Sequence, residues 1–205
     1  VYDDGLVRLE NTRLSVGEGN AKVNGQYVVD TGDFDATVKA QNLPLDTFTK
    51  DMSTPITGNV DGEVRILGKN NQVTDVVGAV EGHQIGIRGV VVDAAKANFT
   101  HSDNRTNLTL VGNMGDGAFS GYGYIQNGNV DATISGNALP LTSLSPIIGQ
   151  DVDGTLNTSI TIKGVLDNPN VTGTVWGQEV HYKGARFDNI HGDIQLDNHV
   201  LTITN

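Results

Sequence analysis

His181, His191 and His199 come nearest, by type and spacing, to a metal site in this chain. A zinc site normally pairs its ligands at short intervals such as His-x-x-x-His. These three fall on separate expected strands or turns, His83 has no partner at a useful spacing, and His101 sits in a polar turn. Asp151 and Asp153 flank Val152 ahead of Gly154, as the first ligands of a calcium loop would, but the further oxygen ligands do not follow. Carboxylate pairs abound in a chain with 24 Asp and Glu, so counting them singles out no glycosidase pair. An aromatic content of 5% also leaves few platforms for stacking sugars. There is no Gly-x-Ser-x-Gly elbow, phosphate-cradling loop or dinucleotide fingerprint. Without cysteine there is no disulfide framework, thiolate metal site or sulfur nucleophile. Trp176, the sole tryptophan, is expected to be structural. The expectation is a protein that is not an enzyme, with no cofactor and no metal.

The elements that would carry any site are strands. Phe34, Ala36 and Val38 interleave with Asp35, Thr37 and Lys39; Val130, Ala132 and Ile134 interleave with Asp131, Thr133 and Ser135. Ile160 and Ile162, Ile194 and Leu196, and Leu201 and Ile203 alternate with polar residues in the same way. Successive strand side chains point to opposite faces, so each strand has one apolar and one wet face, the pattern of antiparallel sheet. Asn24-Gly25, Asp61-Gly62, Asp116-Gly117, Asn127-Gly128 and Asp153-Gly154 read as hairpin turns, and Asp167-Asn168-Pro169-Asn170 as a further turn. Short helical or irregular connectors are expected over 46–52 and 142–148. About 16 strands of ordinary length would use up the chain. Stacked in one meander at about 4.8 Å each, they would make a sheet roughly 75 Å long. A sheet apolar on one side must curl, fold over or be covered.

The chain also repeats itself. Residues 34–45 and 130–141 share Asp-Ala-Thr near the start and Leu-Pro-Leu at the end, 96 positions apart (130 − 34). At that offset Ile56-Thr57-Gly58 meets Val152-Asp153-Gly154, and Val64 to Gly68 meets Ile160 to Gly164. After a one-residue slip Gly78, Gly82 and Gly89 meet Gly173, Gly177 and Gly184. The expected organisation is one continuous segment, 1–205: the end of a preceding repeat over 1–23, one copy over 24–119 and another over 120–205. A β-helix would repeat at about 20–30 residues.

Composition narrows the partners. The 13 Lys and Arg are scattered and the net charge is −11, which argues against nucleic acid and against a basic membrane-surface patch. No apolar run is long enough to span a bilayer as a helix. The chain opens Val-Tyr-Asp-Asp, without an initiator Met, and is expected to be a piece of a longer protein.

Leu139-Pro140-Leu141, Val152-Asp153-Gly154, the run Gly164-Val165-Leu166-Asp167-Asn168-Pro169-Asn170-Val171-Thr172-Gly173, and Phe187-Asp188-Asn189-Ile190-His191-Gly192-Asp193-Ile194 together resemble the TamB/AsmA-like family of bacterial envelope proteins. The earlier copy keeps Leu43-Pro44-Leu45, Ile56-Thr57-Gly58 and Gly68, but Asn70-Asn71-Gln72-Val73 lacks the proline. The resemblance implies an all-β fold: a long, mostly antiparallel sheet curled into a U-sectioned groove, the β-taco. It also implies a periplasmic segment of an inner-membrane-anchored protein, shielding phospholipid tails on their way between the two membranes. The implied partners are phospholipid and, through another part of the full-length chain, an outer-membrane Omp85-type barrel protein.

The residues expected to line the groove are Phe34, Ala36, Val38, Val64, Ile66, Ile85, Ile87, Leu108, Leu110, Phe119, Val130, Ala132, Ile134, Ile160, Ile162, Val171, Val175, Ile194, Leu196, Leu201 and Ile203. Alternation alone does not separate an open groove from a dry core. The competing reading is a structural or adhesive repeat of a bacterial surface protein with a closed interior.

Overall fold

A computed structural model describes residues 2–197 and 200–204. The chain forms β1 (Tyr2–Asp3), β2 (Leu6–Val16), β3 (Gly19–Val28) and β4 (Asp33–Pro44), then the short α1 (Asp46–Thr49). Next come β5 (Ile56–Lys69), β6 (Gln72–Ile87), β7 (Val90–Ser102), β8 (Arg105–Met114), β9 (Gly117–Gln126) and β10 (Asn129–Pro140). After α2 (Leu141–Ile148) follow β11 (Asp153–Val165), β12 (Asn170–Tyr182), β13 (Ala185–Asp197) and β14 (Val200–Thr204). The protein is all-β. Among the described residues 14 strands make one sheet in strict chain order, every neighbouring pair antiparallel, with no closure into a barrel.

There are fewer strands than the expected 16 or so because they are long, reaching 16 residues in β6 against a usual five or six. Thirteen inter-strand steps of about 4.8 Å make a sheet roughly 62 Å across, measured along its surface.

Local chemistry explains the meander. Two-residue turns with both residues at positive φ match the twist of a hairpin. Asn70-Asn71 (φ 52 and 62), Asp103-Asn104 (49 and 59) and Asn127-Gly128 (49 and 76) supply them. Asn127-Gly128 is the turn expected from sequence, Asp116-Gly117 lies at the β8–β9 turn, and 167–169 lie in the β11–β12 connection. Asn24-Gly25 and Asp61-Gly62 are not turns. They lie inside β3 and β5, and Asp153-Gly154 opens β11.

The reason is a set of bulges. Asn11, Asn42, Gln84, Ala138 and Glu179 have φ between 49° and 52° in the midst of β2, β4, β6, β10 and β12. A bulge residue leaves the ladder and exposes its own amide. The Asn11 N–H donates to Asn24 Oδ1 at 2.7 Å, the Asn42 N–H to Asp61 Oδ1 at 2.9 Å, and the Ala138 N–H to Asn157 Oδ1 at 2.9 Å. Asn24 and Asp61 thus serve the neighbouring strand's bulge, not a turn of their own.

The densest packing lies at one end of the strands. Val90, Met114 and Leu139 are buried together, with Val92, Phe119, Leu144 and Leu156 packed around them. Leu144 comes from α2, which reaches β7, β10 and β11. Gly149 ends this helix in the left-handed conformation (φ 72), its N–H donating to the Ser145 carbonyl at 2.8 Å. One short helix touching strands four apart requires the sheet to curl towards that side. Elsewhere there is no closed dry core: among the described residues no large side chain is fully buried. No helix of the described residues is long and apolar enough to cross a membrane.

Candidate functional site

Directly opposed residues of an antiparallel pair share a face, so the register assigns the faces. Phe34, Ala36 and Val38 of β4 stand opposite Gly68, Ile66 and Val64 of β5. Leu108 and Leu110 of β8 oppose Gly123 and Gly121 of β9, which in turn oppose Ala132 and Ile134 of β10. Phe119 opposes Gly136, and Val130 opposes Gly164. Ala132 and Ile134 oppose Ile162 and Ile160; beyond these come Val171 and Gly173, then Leu196 and Ile194. Val175 follows on the same side of β12. These expected residues therefore share one face.

Ile85 and Ile87 lie past the Gln84 bulge, which swaps the parity of β6. Ile85 packs beside Gly82, itself on the apolar face opposite Val60 and Ala95. Leu201 and Ile203 pair in register with Leu196 and Ile194, and their side chains lie outside the description.

Sequence reasoning missed Val23, Val76, Val80 and Phe99, which the register puts on the same face. The signal for them was their cross-strand partner, invisible until strands are paired.

This face is open in its middle. Between β7 and β10 it holds a hollow of about 340 Å³, walled almost wholly by carbon from Phe99, Leu108, Leu110, Ile125, Val130 and Ile134. Leu108 remains 44% exposed and Leu14, on the same face near one edge, 52%. The phenylalanine rings do not stand up from this surface. A Cβ at Gly68, Gly78 or Gly112 would run into the rings of Phe34, Phe99 and Phe119 respectively. Each ring lies flat over a glycine of the next strand, a packing that covers exposed backbone and keeps the floor low.

The opposite face is mostly polar and carries ion pairs, with Val77, Val111, Tyr122 and Trp176 exposed among them. Lys39 meets Glu63 at 2.9 Å, Lys96 meets Glu81 at 3.1 Å and Lys163 meets Asp131 at 3.5 Å. Arg65 donates to both oxygens of Asp35, at 3.0 and 2.8 Å. That fork holds the Asp35 carboxyl below the usual carboxylate range, mainly through the hydrogen bonds; burial works against it, and the Arg65 charge adds a smaller lowering.

The histidines are dispersed. His191 packs at a tilt of 42° against Trp176 with ring centres 5.2 Å apart, His101 Nδ1 lies 2.8 Å from Thr106 Oγ1, and His83 lies 3.6 Å from Asp61. Asp153 accepts the Gly154 N–H at 2.8 Å. Among the described residues no three metal-ligating side chains converge; His199 lies outside them.

No family model, curated protein or solved structure matches this chain.

Proposed function

We propose that this chain is a segment of a lipid-transfer bridge, its apolar face shielding phospholipid tails between the inner and outer membranes. The observation that carries the reading is the open, carbon-walled hollow on a face that stays apolar from β2 to β13. An apolar surface of this extent marks an interaction site. Each CH₂ removed from water gains about 0.8 kcal/mol. An aliphatic floor offers that gain without directional bonds, so a tail slides without a deep trap. Nothing in this role calls for a catalytic group.

Further parts of the reading rest on resemblance to the TamB/AsmA-like family. These are the periplasmic location, the inner-membrane anchor and the Omp85-type barrel partner, the last two involving chain outside this segment. The repeat of about 96 residues belongs here too. It is supported by the equivalent places of α1 and α2, the first directly after Leu43-Pro44-Leu45 and the second starting on the last residue of Leu139-Pro140-Leu141, between β4 and β5 and between β10 and β11.

The test is native mass spectrometry of the purified protein for bound phospholipid. Wild type is expected to carry phospholipid. The double variant Ile134→Asp, Ile162→Asp is expected to lose it, while Ser135→Asp, Thr161→Asp, on the other face of the same two strands and likewise not directly opposed, keeps it. Circular dichroism checks that the sheet survives. Capture undiminished in a folded Ile134→Asp, Ile162→Asp protein would refute the assignment of the face.

A further inference from the structure

We propose that the polar face of β2–β4 carries a binding site for a phosphate group, built from Arg13, Lys22 and Lys39. The register sets these three cations side by side: Arg13 opposes Lys22, and Lys22 opposes Lys39. Opposed Cα atoms in such pairs are about 4.5–5.5 Å apart, so the three bases form a short cationic row. They line a hollow of about 710 Å³, together with Ser15, Asn20 and Gln41.

Like charges set directly opposite one another weaken strand pairing. The other charged neighbours of this face are mostly matched, as in Lys163 with Asp131 and Lys96 with Glu81. Where Asp61 opposes Glu81, His83 and Lys96 stand beside them. In the basic row only Lys39 has an acid, Glu63. Arg13 and Lys22 form no ion pair among the described residues. Three adjoining bases sharing a single acid are unexpected in a chain of 24 acidic and 13 basic residues. An anion from outside relieves them.

The chemistry favours phosphate. Three cations less one carboxylate leave two positive charges, matching the roughly two negative charges of a phosphomonoester at pH 7. The Ser15 hydroxyl and the amides of Asn20 and Gln41 add neutral donors, and a tetrahedral oxyanion can accept from several directions at once. The phosphate is either free or borne on a lipid headgroup. The hollow lies on the face away from the apolar trough, so it stands or falls independently of tail binding.

Two arms test it at low ionic strength. Sodium phosphate is titrated into ¹⁵N-labelled protein, with sodium chloride matched for ionic strength, and the protein is floated with vesicles of phosphatidylcholine with or without phosphatidic acid, whose headgroup is a phosphomonoester. Saturable shifts of the amides at 13, 15, 20, 22, 39 and 41 with phosphate alone mark a free-phosphate site. Flotation only with vesicles that contain phosphatidic acid, without a response to sodium phosphate, marks a headgroup site. In either case Arg13→Gln, Lys22→Gln is expected to weaken binding about tenfold or more, and Lys163→Gln to leave it unchanged. No response in either arm, or a folded Arg13→Gln, Lys22→Gln protein that binds like wild type, overturns the proposal.

Discussion

The middle of the apolar face and its end beneath α2 are built from the same residue types on the same side of the sheet, yet they differ in kind. Leu108, in the middle, is 44% exposed; Leu139, under the helix, is 8% exposed. Leu108 follows the period-two pattern of its strand, whereas Leu139 reaches the same face through the Ala138 bulge, which shifts the phase of β10. What separates them is α2, whose Leu144 closes over Val90, Met114 and Leu139. The corresponding insertion after β4 makes no such cover: α1 has four residues, and Phe48 and Met52 stay 54% and 57% exposed. Alternation decides which way a side chain points, and a neighbour arriving from elsewhere decides whether it is dry. An open trough and a packed core are therefore two states of one surface.

The sharpest way to break this comparison is to cut the same side chain back at both places. Leu139→Ala removes methyl groups that touch a packed cluster and leaves a cavity, at a cost of about 3 kcal/mol. Leu108→Ala removes a half-solvated side chain and is expected to cost below about 1 kcal/mol. Urea unfolding of both variants measures the difference. Equal losses would mean that the middle of the trough is as tightly packed as its end.

A smaller effect is expected at the bulge beside that cluster. Asn157→Ala leaves the Ala138 N–H without its acceptor in a partly buried place, at a cost of about 1–2 kcal/mol. Ser159→Ala, two residues on and exposed, is expected to change stability by under about 0.5 kcal/mol. Hydrogen exchange at Ala138 reads the same event locally: the amide should exchange faster in Asn157→Ala and at the wild-type rate in Ser159→Ala.

These contrasts mark what the sequence could and could not convey. Period-two alternation is a local property, and it placed Ile134, Ile160 and their neighbours without knowledge of the pairing. A bulge is a relation between two strands. Asn42 and Ala138 look like ordinary strand residues, and Asn24 and Asp61 look like turn residues, because a short polar side chain that accepts an amide serves either purpose. The cover over Leu139 was hidden for a similar reason: α2 follows β10 directly but also docks on β7, some fifty residues earlier. The row of Arg13, Lys22 and Lys39 exists only once three strands are in register. The flat phenylalanines likewise depend on a glycine one strand away, as Phe99 does on Gly78.

The smallest expected effect lies on the polar face and depends on pH. Arg65 holds the Asp35 carboxyl below its ordinary value, so in the window between the two values the folded chain binds fewer protons than the unfolded one. Stability from the pair is then fully present above the unfolded carboxylate value of about 3.9 and is lost as pH falls through the lower, folded-state value. Arg65→Gln removes the fork. A ¹³C carboxyl titration should show the Asp35 midpoint rising towards the ordinary value in that variant. The unfolding midpoints of wild type and Arg65→Gln should differ slightly at pH 7 and converge in strong acid. Added salt should shrink the difference, since Arg65 stands largely in water and Asp35 is partly exposed. A midpoint for Asp35 that ignores Arg65→Gln would mean that the fork does not persist in solution. The trough-side comparison of Leu139 with Leu108 would remain untouched, because its energetics rest on cover and not on charge.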